Sequence, residues 1–425
     1  MKKIIAKKYY SGFPLAHDTY NALSSASDGC LYYVLSSEDI EIGGYLCKFN
    51  PENEEITIIG DLTEICGEKG NHTIGQGKSH VLFYEKDKSL YFGTHVGYYE
   101  MIDGMERLPA NPPNNFGLYP GGHLLEYNMI TGQFKDLAML PYGEGLLTMV
   151  MDIDRSQIYG ITWPTGHLIH YELNTGTLKD LGTISAKGEA GIPGDDFRVL
   201  CRSMVVDPRN GNVYFTRSNG DILYYHPEQE TFSHLEAPTM QLDYFGQYDY
   251  KQPGNMGYNW RKAFWYSPEN AIYGVHGNSG YLFKYSPDDQ KIEIVERLTS
   301  IPSRRSGIFD QFSYGYLGFV LGPDQETIYY LTGGPIYEDG QRLKGEDKIA
   351  KGGAKGLENL HLITYHIPSE KYIDHGPIFY TDGGIPIYVN SIALDQEGAV
   401  YTLARMQHEG KEIEDLIRIP NPFKK

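Results

Sequence analysis

Residues 122–140, GHLLEYNMITGQFKDLAML, and residues 166–184, GHLIHYELNTGTLKDLGTI, are two copies of one unit. Each opens on Gly-x-Leu-x-x-Tyr, turns through Asn, Thr and Gly, and continues as an alternating polar and apolar strand. Gly and Asn supply the backbone conformation that closes a hairpin, and the alternation sets one face of each strand against a core. Related copies lie at 44–62, 220–238, 280–298 and, with Leu360 in place of the glycine, 360–378.

Working outward, a short apolar strand carrying a tyrosine recurs seven times, at Tyr32, Tyr91, Tyr159, Tyr214, Tyr273, Tyr329 and Tyr401. The separations run from 55 to 72 residues, longer than the roughly 40–45 of a WD40 blade. Another apolar segment precedes each tyrosine strand, as in MVVDPRNGNVYF (204–215) and SIALDQEGAVYT (391–402). Each unit therefore holds four strands, A to D, with the tyrosine on B. The expected fold is all-β: a seven-bladed β-propeller of four-stranded antiparallel blades, one domain over residues 1–425. The last unit shows only EDLIRIP (414–420) after its tyrosine strand, so the N-terminal KKIIAKKYY (2–10) is expected to complete blade 7 and remove its open edge. No amphipathic helical pattern separates the strands, which excludes doubly wound and TIM-type folds.

The chain carries 37 basic and 55 acidic residues, a net charge of -18. Such a surface repels phosphate backbones and anionic headgroups, so neither nucleic acid nor membrane is an expected partner. The opening MKKIIAKKYYSG has no apolar core because Lys7 and Lys8 interrupt it; it does not read as a secretion signal, and a cytoplasmic location is expected. Cys30, Cys47, Cys66 and Cys201 show no metal-type spacing and read as reduced, buried thiols.

In a propeller the D-to-A and B-to-C connections share one face. The long segments 100–120, 185–200, 239–259, 299–313 and 335–359 all belong to it, and loops of that length are usually functional. Polar residues at the A-strand starts and B-strand ends of this face are His17, Asp18, Asn21, Lys78, His80, His95, Trp163, His167, Arg202, Arg217, Trp260, Arg261, His276, Tyr388, Asn390 and Arg405. A cationic, His-rich rim in an acidic chain points to a small anionic ligand, with aromatic rings to stack on a sugar. The seven tyrosines read as structural, because no site could use them all. His123 and His167 occupy the same C-strand start and read as part of the repeat; His72, His234 and His408 read as surface residues. Nothing in the histidine spacing supports a metal site.

The segments QGKSHV (76–81), FGTHVGYY (92–99), DTYNALSS (18–25) and LYPGGHLLEY (118–127) resemble those of seven-bladed propeller enzymes that degrade acidic polysaccharides. The similarity is to L-rhamnose-α-1,4-D-glucuronate lyases and related α-L-rhamnosidases, and more distantly to ulvan lyases. It implies β-elimination at a glucuronate in an acidic oligosaccharide, with His80 and His95 as base and acid and Arg202 or Arg217 on the carboxylate. Trp163, Trp260 and Arg261 would hold the sugars, with His276, Lys78 and Asn390 as further binding groups. Related rhamnosidases use the opposite face and a single His, for which His17 is the N-terminal candidate. The alternatives are thus that hydrolase or a non-catalytic sugar-binding propeller. No cofactor is required; a structural or central-channel divalent cation, calcium, is the one addition the architecture admits.

Overall fold

The structure, a computed structural model, describes residues 3–17, 20–102, 105–235, 239–277, 279–306, 318–335, 337–338, 341–342, 358–386 and 389–424. Asp18 and Tyr388, residues 307–313 of segment 299–313 and most of segment 335–359 lie outside them. Among the described residues, five four-stranded sheets succeed one another along the chain, within 23–61, 84–139, 145–183, 205–234 and 260–297; an eight-stranded sheet takes the two ends. Neighbouring strands within each four-stranded sheet are antiparallel, as hairpin connections require.

The innermost strands meet around a ring. Gly145–Asp152 touches Val205–Val206, which touches Trp260–Tyr266, which touches Phe319–Leu321; Leu23–Ser25 of the first sheet meets Ala393–Leu394 of the last. This is the β-propeller arrangement, in which sheets pack face to face and bury the apolar side of every strand. One cluster joins Tyr159, Phe215, Tyr225, Ile272 and Phe283 across the third, fourth and fifth sheets. Another joins Tyr33 and Phe49 to Tyr401 and Leu416 where the ring closes.

Closure uses the N-terminus. Ile4–Lys8 pairs antiparallel with Lys411–Ile419, in the register Lys7 to Arg418. It also pairs parallel with Lys371–Tyr380, Ile4 facing Ile378, which fuses what would be two four-stranded sheets into the eight-stranded one. The strand is anchored where it leaves the sheet: Ser11 donates through its backbone N–H (2.7 Å) and hydroxyl (2.8 Å) to the buried Asp415 carboxylate.

All seven repeat tyrosines are buried. Three of their hydroxyls reach the turn between strands A and B: Tyr32 donates to Asp28 (2.9 Å), Tyr273 to Glu269 (2.9 Å) and Tyr401 to Asp395 (3.1 Å). The recurring tyrosine thus fills the core with its ring, and in these three copies its polar end satisfies a turn carboxylate. A second recurring device links strands C and D. His123 meets Asp136 at 2.8 Å, His167 meets Asp180 at 3.0 Å and His361 meets Asp374 at 2.9 Å, each pair thirteen residues apart. In the fourth sheet the types are exchanged, Asp221 opening strand C and His234 standing on strand D, 3.3 Å apart. His123 and His167 are therefore repeat residues, and His234 belongs to the same pattern. All four cysteines are free; only Cys47 lies within a strand, and Cys66 is the one not fully buried. Among the described residues no helix is long and apolar enough to cross a membrane.

Candidate functional site

Three of the long connections touch one another. The segment before the second sheet touches that sheet's long B-to-C loop through a bridge between Thr73 and Gly117. The same loop forms a ribbon, Glu100–Ile102 with Met105–Arg107. Arg107 then donates to the backbone oxygens of Glu189 (2.6 Å) and Gly191 (3.1 Å) in segment 185–200. Three long loops are in this way braced against one another.

Lys78 and His95 exchange two backbone hydrogen bonds, 3.1 and 2.7 Å, which bring the start of the second sheet's inner segment beside the end of its tyrosine strand. The His80 and His95 rings consequently lie 4.5 Å apart. The Tyr20 ring lies 4.2 Å from that of His80 on one side, and the Trp163 ring 5.3 Å from that of His95 on the other. Lys78 is wholly buried; its Nζ donates to the Tyr20 hydroxyl at 2.6 Å and sits 4.1 and 4.4 Å from the ring centres of Tyr20 and Tyr99. His80 is half-buried and His95 is buried. His95 Nδ1 donates to the Val96 carbonyl at 3.0 Å, which assigns the basic lone pair of the neutral ring to Nε2. Gly145 lies flat against this imidazole, where a side chain would come within 2.7 Å of the ring.

The line of contacts continues past Trp163. Its indole N–H donates to Glu189 Oε2 at 2.9 Å, and Glu189 Oε1 accepts from the backbone N–H of Leu200 at 3.0 Å and pairs with Arg202 Nη2 at 2.7 Å. The other terminal nitrogen of Arg202, Nη1, is buried and has no hydrogen-bond partner among the described residues. A buried N–H without an acceptor is costly, and a guanidinium held at one end by a carboxylate presents the other in a fixed direction.

The structure thus brings together Lys78, His80, His95, Trp163 and Arg202, and adds Tyr20, Tyr99 and Glu189. Tyr20 and Tyr99 fall inside the segments DTYNALSS and FGTHVGYY; Glu189 stands in a loop with no repeat or motif to mark it.

Other residues expected at this site sit elsewhere. Trp260 is fully buried, and its indole N–H donates to the Ser203 backbone oxygen at 2.7 Å, so it packs inner strands together rather than facing a sugar. His276 is fully buried, stacked 4.2 Å from Phe245 and bonded through Nδ1 to Ser279 at 2.9 Å; burial lowers its pKa to about 3 and keeps it neutral. Arg261 is buried with its guanidinium against the Met256 sulfur. Arg217 turns to the Ile184 carbonyl and lines a separate hollow. Asn390 is buried, Arg405 pairs with Glu414 at 2.8 Å, and His17 is exposed, 3.3 Å from Glu38.

Strand parity separates Arg217 and His276 from His95 and Trp163. His95 and Trp163 each stand four residues beyond their repeat tyrosine, whereas Arg217 and His276 stand three beyond theirs. Successive side chains on a strand face opposite sides, so counted from that tyrosine the two pairs project from opposite faces of their sheets. Among the described residues, no group of three or more His, Cys, Asp or Glu converges in a way that could hold a metal ion.

No family model matches this sequence, and no curated protein matches it. Solved structures do. The β-propeller domain of Cps50 (Swd1) from Myceliophteria thermophila is similar over 98% of this chain and 99% of its own, at a TM-score of 0.53 and 7% identity. A chain of the mitotic checkpoint complex is similar over 96% of this chain and 89% of its own, at a TM-score of 0.52 and 9% identity. At such identities the likeness is one of fold, which by itself fixes no chemistry.

Proposed function

We propose that the eight-stranded sheet counts as two blades, which makes the chain a single seven-bladed propeller domain. On its elaborated face we place a lyase that cleaves a glycosidic bond to glucuronate in an acidic oligosaccharide by β-elimination.

The observation that carries this reading is the line from the paired imidazoles of His80 and His95 through Trp163 and Glu189 to the buried, unsatisfied Nη1 of Arg202. β-Elimination needs a cation on the uronate carboxylate, so that negative charge developing at C5 is stabilised, and a base that takes the C5 proton. Arg202 provides the first: Nη1 gains an acceptor when a carboxylate enters, while Glu189 holds the opposite end of the guanidinium. The His80 ring, the member of the pair that reaches solvent, takes the C5 proton. The C5–H electron pair becomes the C4–C5 double bond, the C4–O4 bond breaks, and O4 leaves with a proton delivered from the pair. His95 orients and electrostatically supports His80, with its own tautomer set by Val96, and Trp163 offers an indole wall beside the sugar. No water is consumed, which distinguishes the reaction from hydrolysis.

Incubation with rhamnosyl-glucuronate oligosaccharides tests the reading. A lyase generates the ultraviolet absorbance of an unsaturated uronate; release of free rhamnose without that absorbance favours the hydrolase, and an unconsumed substrate favours a binding module.

A further inference from the structure

Arg217, turned away from the histidine pair, borders a hollow of about 330 Å³ together with Thr183, Ser185, Ala186, Arg198 and Asn219. Both guanidiniums are oriented by backbone carbonyls. Arg217 Nε donates to Ile184 O, and Arg198 Nη1 donates to Asp195 O (2.8 Å) and Phe197 O (2.6 Å) while its guanidinium lies 5.3 Å from the Tyr250 ring centre. Such anchoring leaves little side-chain entropy to be lost on binding, and an arginine fork matches the oxygens of an anion.

The charges are unbalanced. Asp221 is the acidic partner of Arg217, at 4.0 Å, and that carboxylate also accepts from Asn219 Nδ2 (2.9 Å) and faces His234 (3.3 Å). Among the described residues Arg198 forms no ion pair with a side-chain carboxylate. Of the two fixed guanidiniums only that of Arg217 has a carboxylate partner, in a chain of net charge -18, and both stand beside the hydroxyls of Thr183 and Ser185 and the amide of Asn219. Segment 185–200 supplies Ser185 and Arg198 to this hollow and Glu189 to the line of residues that holds Arg202. One loop serves both places.

We propose that the hollow is an oxyanion-binding site that takes the carboxylate or sulfate of an acidic saccharide, distinct from the position of the reacting uronate. The link to a saccharide rests on the lyase reading; the binding of an oxyanion does not.

Titration calorimetry with sodium sulfate and with sodium glucuronate, at ionic strength held constant with chloride, tests it on the wild-type chain, Arg198→Ala and Arg217→Lys. Sulfate is expected to bind the wild type and to bind Arg198→Ala at least about tenfold more weakly. Arg217→Lys keeps the charge and loses the fork, and an intermediate loss is expected. Thermal midpoints in chloride alone report whether each variant folds. Glucuronate binding that is lost together with sulfate assigns the hollow to saccharide carboxylates; sulfate binding alone assigns it to sulfate groups. Equal affinity for both anions in wild type and folded Arg198→Ala, or binding of neither anion by the wild type, overturns the proposal. Sulfate binding without any elimination activity would sink the lyase and leave the oxyanion site standing.

Discussion

Arg202 Nη2 lies 2.7 Å from Glu189 Oε1, and the same carboxylate accepts the Trp163 indole N–H on its other oxygen. One loop glutamate thereby fixes the orientation of an aromatic wall from the third sheet and of a cation from the segment leading into the fourth. Replacing Arg202 by Ala is expected to lower kcat/KM on a uronate substrate by about two to three orders of magnitude, since it removes the charge that stabilises the carbanion-like state. Glu189→Gln leaves Arg202 in place but loosens it, and a smaller loss of about tenfold, expressed mainly in KM, is the expected outcome. Steady-state kinetics on both variants checks the pair.

His80→Ala is expected to reduce kcat by about a hundredfold or more with the fold retained, as removal of a positioned proton-transfer group does. His95→Ala also lowers kcat, through misplacement of His80, and Gly145→Ala reproduces part of that loss because the added methyl collides with the His95 ring. Circular dichroism together with kinetics separates these effects from unfolding.

Trp260→Phe tests the placement of this tryptophan in the core. Its hydrogen bond to Ser203 is lost and a smaller ring leaves a void, so unfolding is expected to become easier by about 1–3 kcal/mol. Activity per folded molecule is expected to stay within about twofold of wild type, whereas a large loss of kcat at full folding would return Trp260 to the site. Denaturant titration and kinetics are both required.

His123 gives the protein a stability that depends on alkaline pH. Burial disfavours its charged form, but hydrogen bonds to Asp136 and Glu68 outweigh that and raise its pKa to about 9. A His whose folded pKa is raised stabilises the fold fully below its unfolded pKa of about 6.5, and that contribution is lost as pH rises through about 9. The shift corresponds to about 3 kcal/mol at most. Urea unfolding from pH 6 to pH 10 is expected to show wild type losing stability relative to His123→Gln across that window; parallel curves for the two would refute the assignment.

The N-terminal strand closes the ring, and deletion of residues 1–10 bares the edges of Lys411–Ile419 and Lys371–Tyr380. A thermal midpoint lower by about 5 °C or more, with concentration-dependent association through the exposed edges, is the expected result. Ser11→Ala removes one of the two hydrogen bonds to Asp415 and is expected to shift the midpoint in the same direction by less. Light scattering and calorimetry check both.

The ring of sheets was legible because its determinants are local and repeated: a buried tyrosine, whose hydroxyl meets a turn acid in three copies, a hairpin signature after it, and an orphan strand at the start of the chain. The fusion of that strand to Lys371–Tyr380 carries no sequence mark, because parallel pairing with a second sheet depends on how the ends of the ring approach each other. His80, His95 and Lys78 were legible as a group since short motifs place them at facing strand ends. Trp260 and His276 were misplaced because a position near a strand end does not say which way a side chain points; counted from the repeat tyrosine, the parity of His276 sends it toward Phe245 rather than toward His95. Glu189 was invisible, since its role arises only when segment 185–200 folds over Trp163.

The most direct measurement is the ultraviolet absorbance of a rhamnosyl-glucuronate oligosaccharide incubated with wild type and with His80→Ala. The account predicts a rise, from the unsaturated uronate formed by elimination, with wild type and none with the variant. Free rhamnose appearing without that absorbance, or equal rises for wild type and His80→Ala, would contradict it.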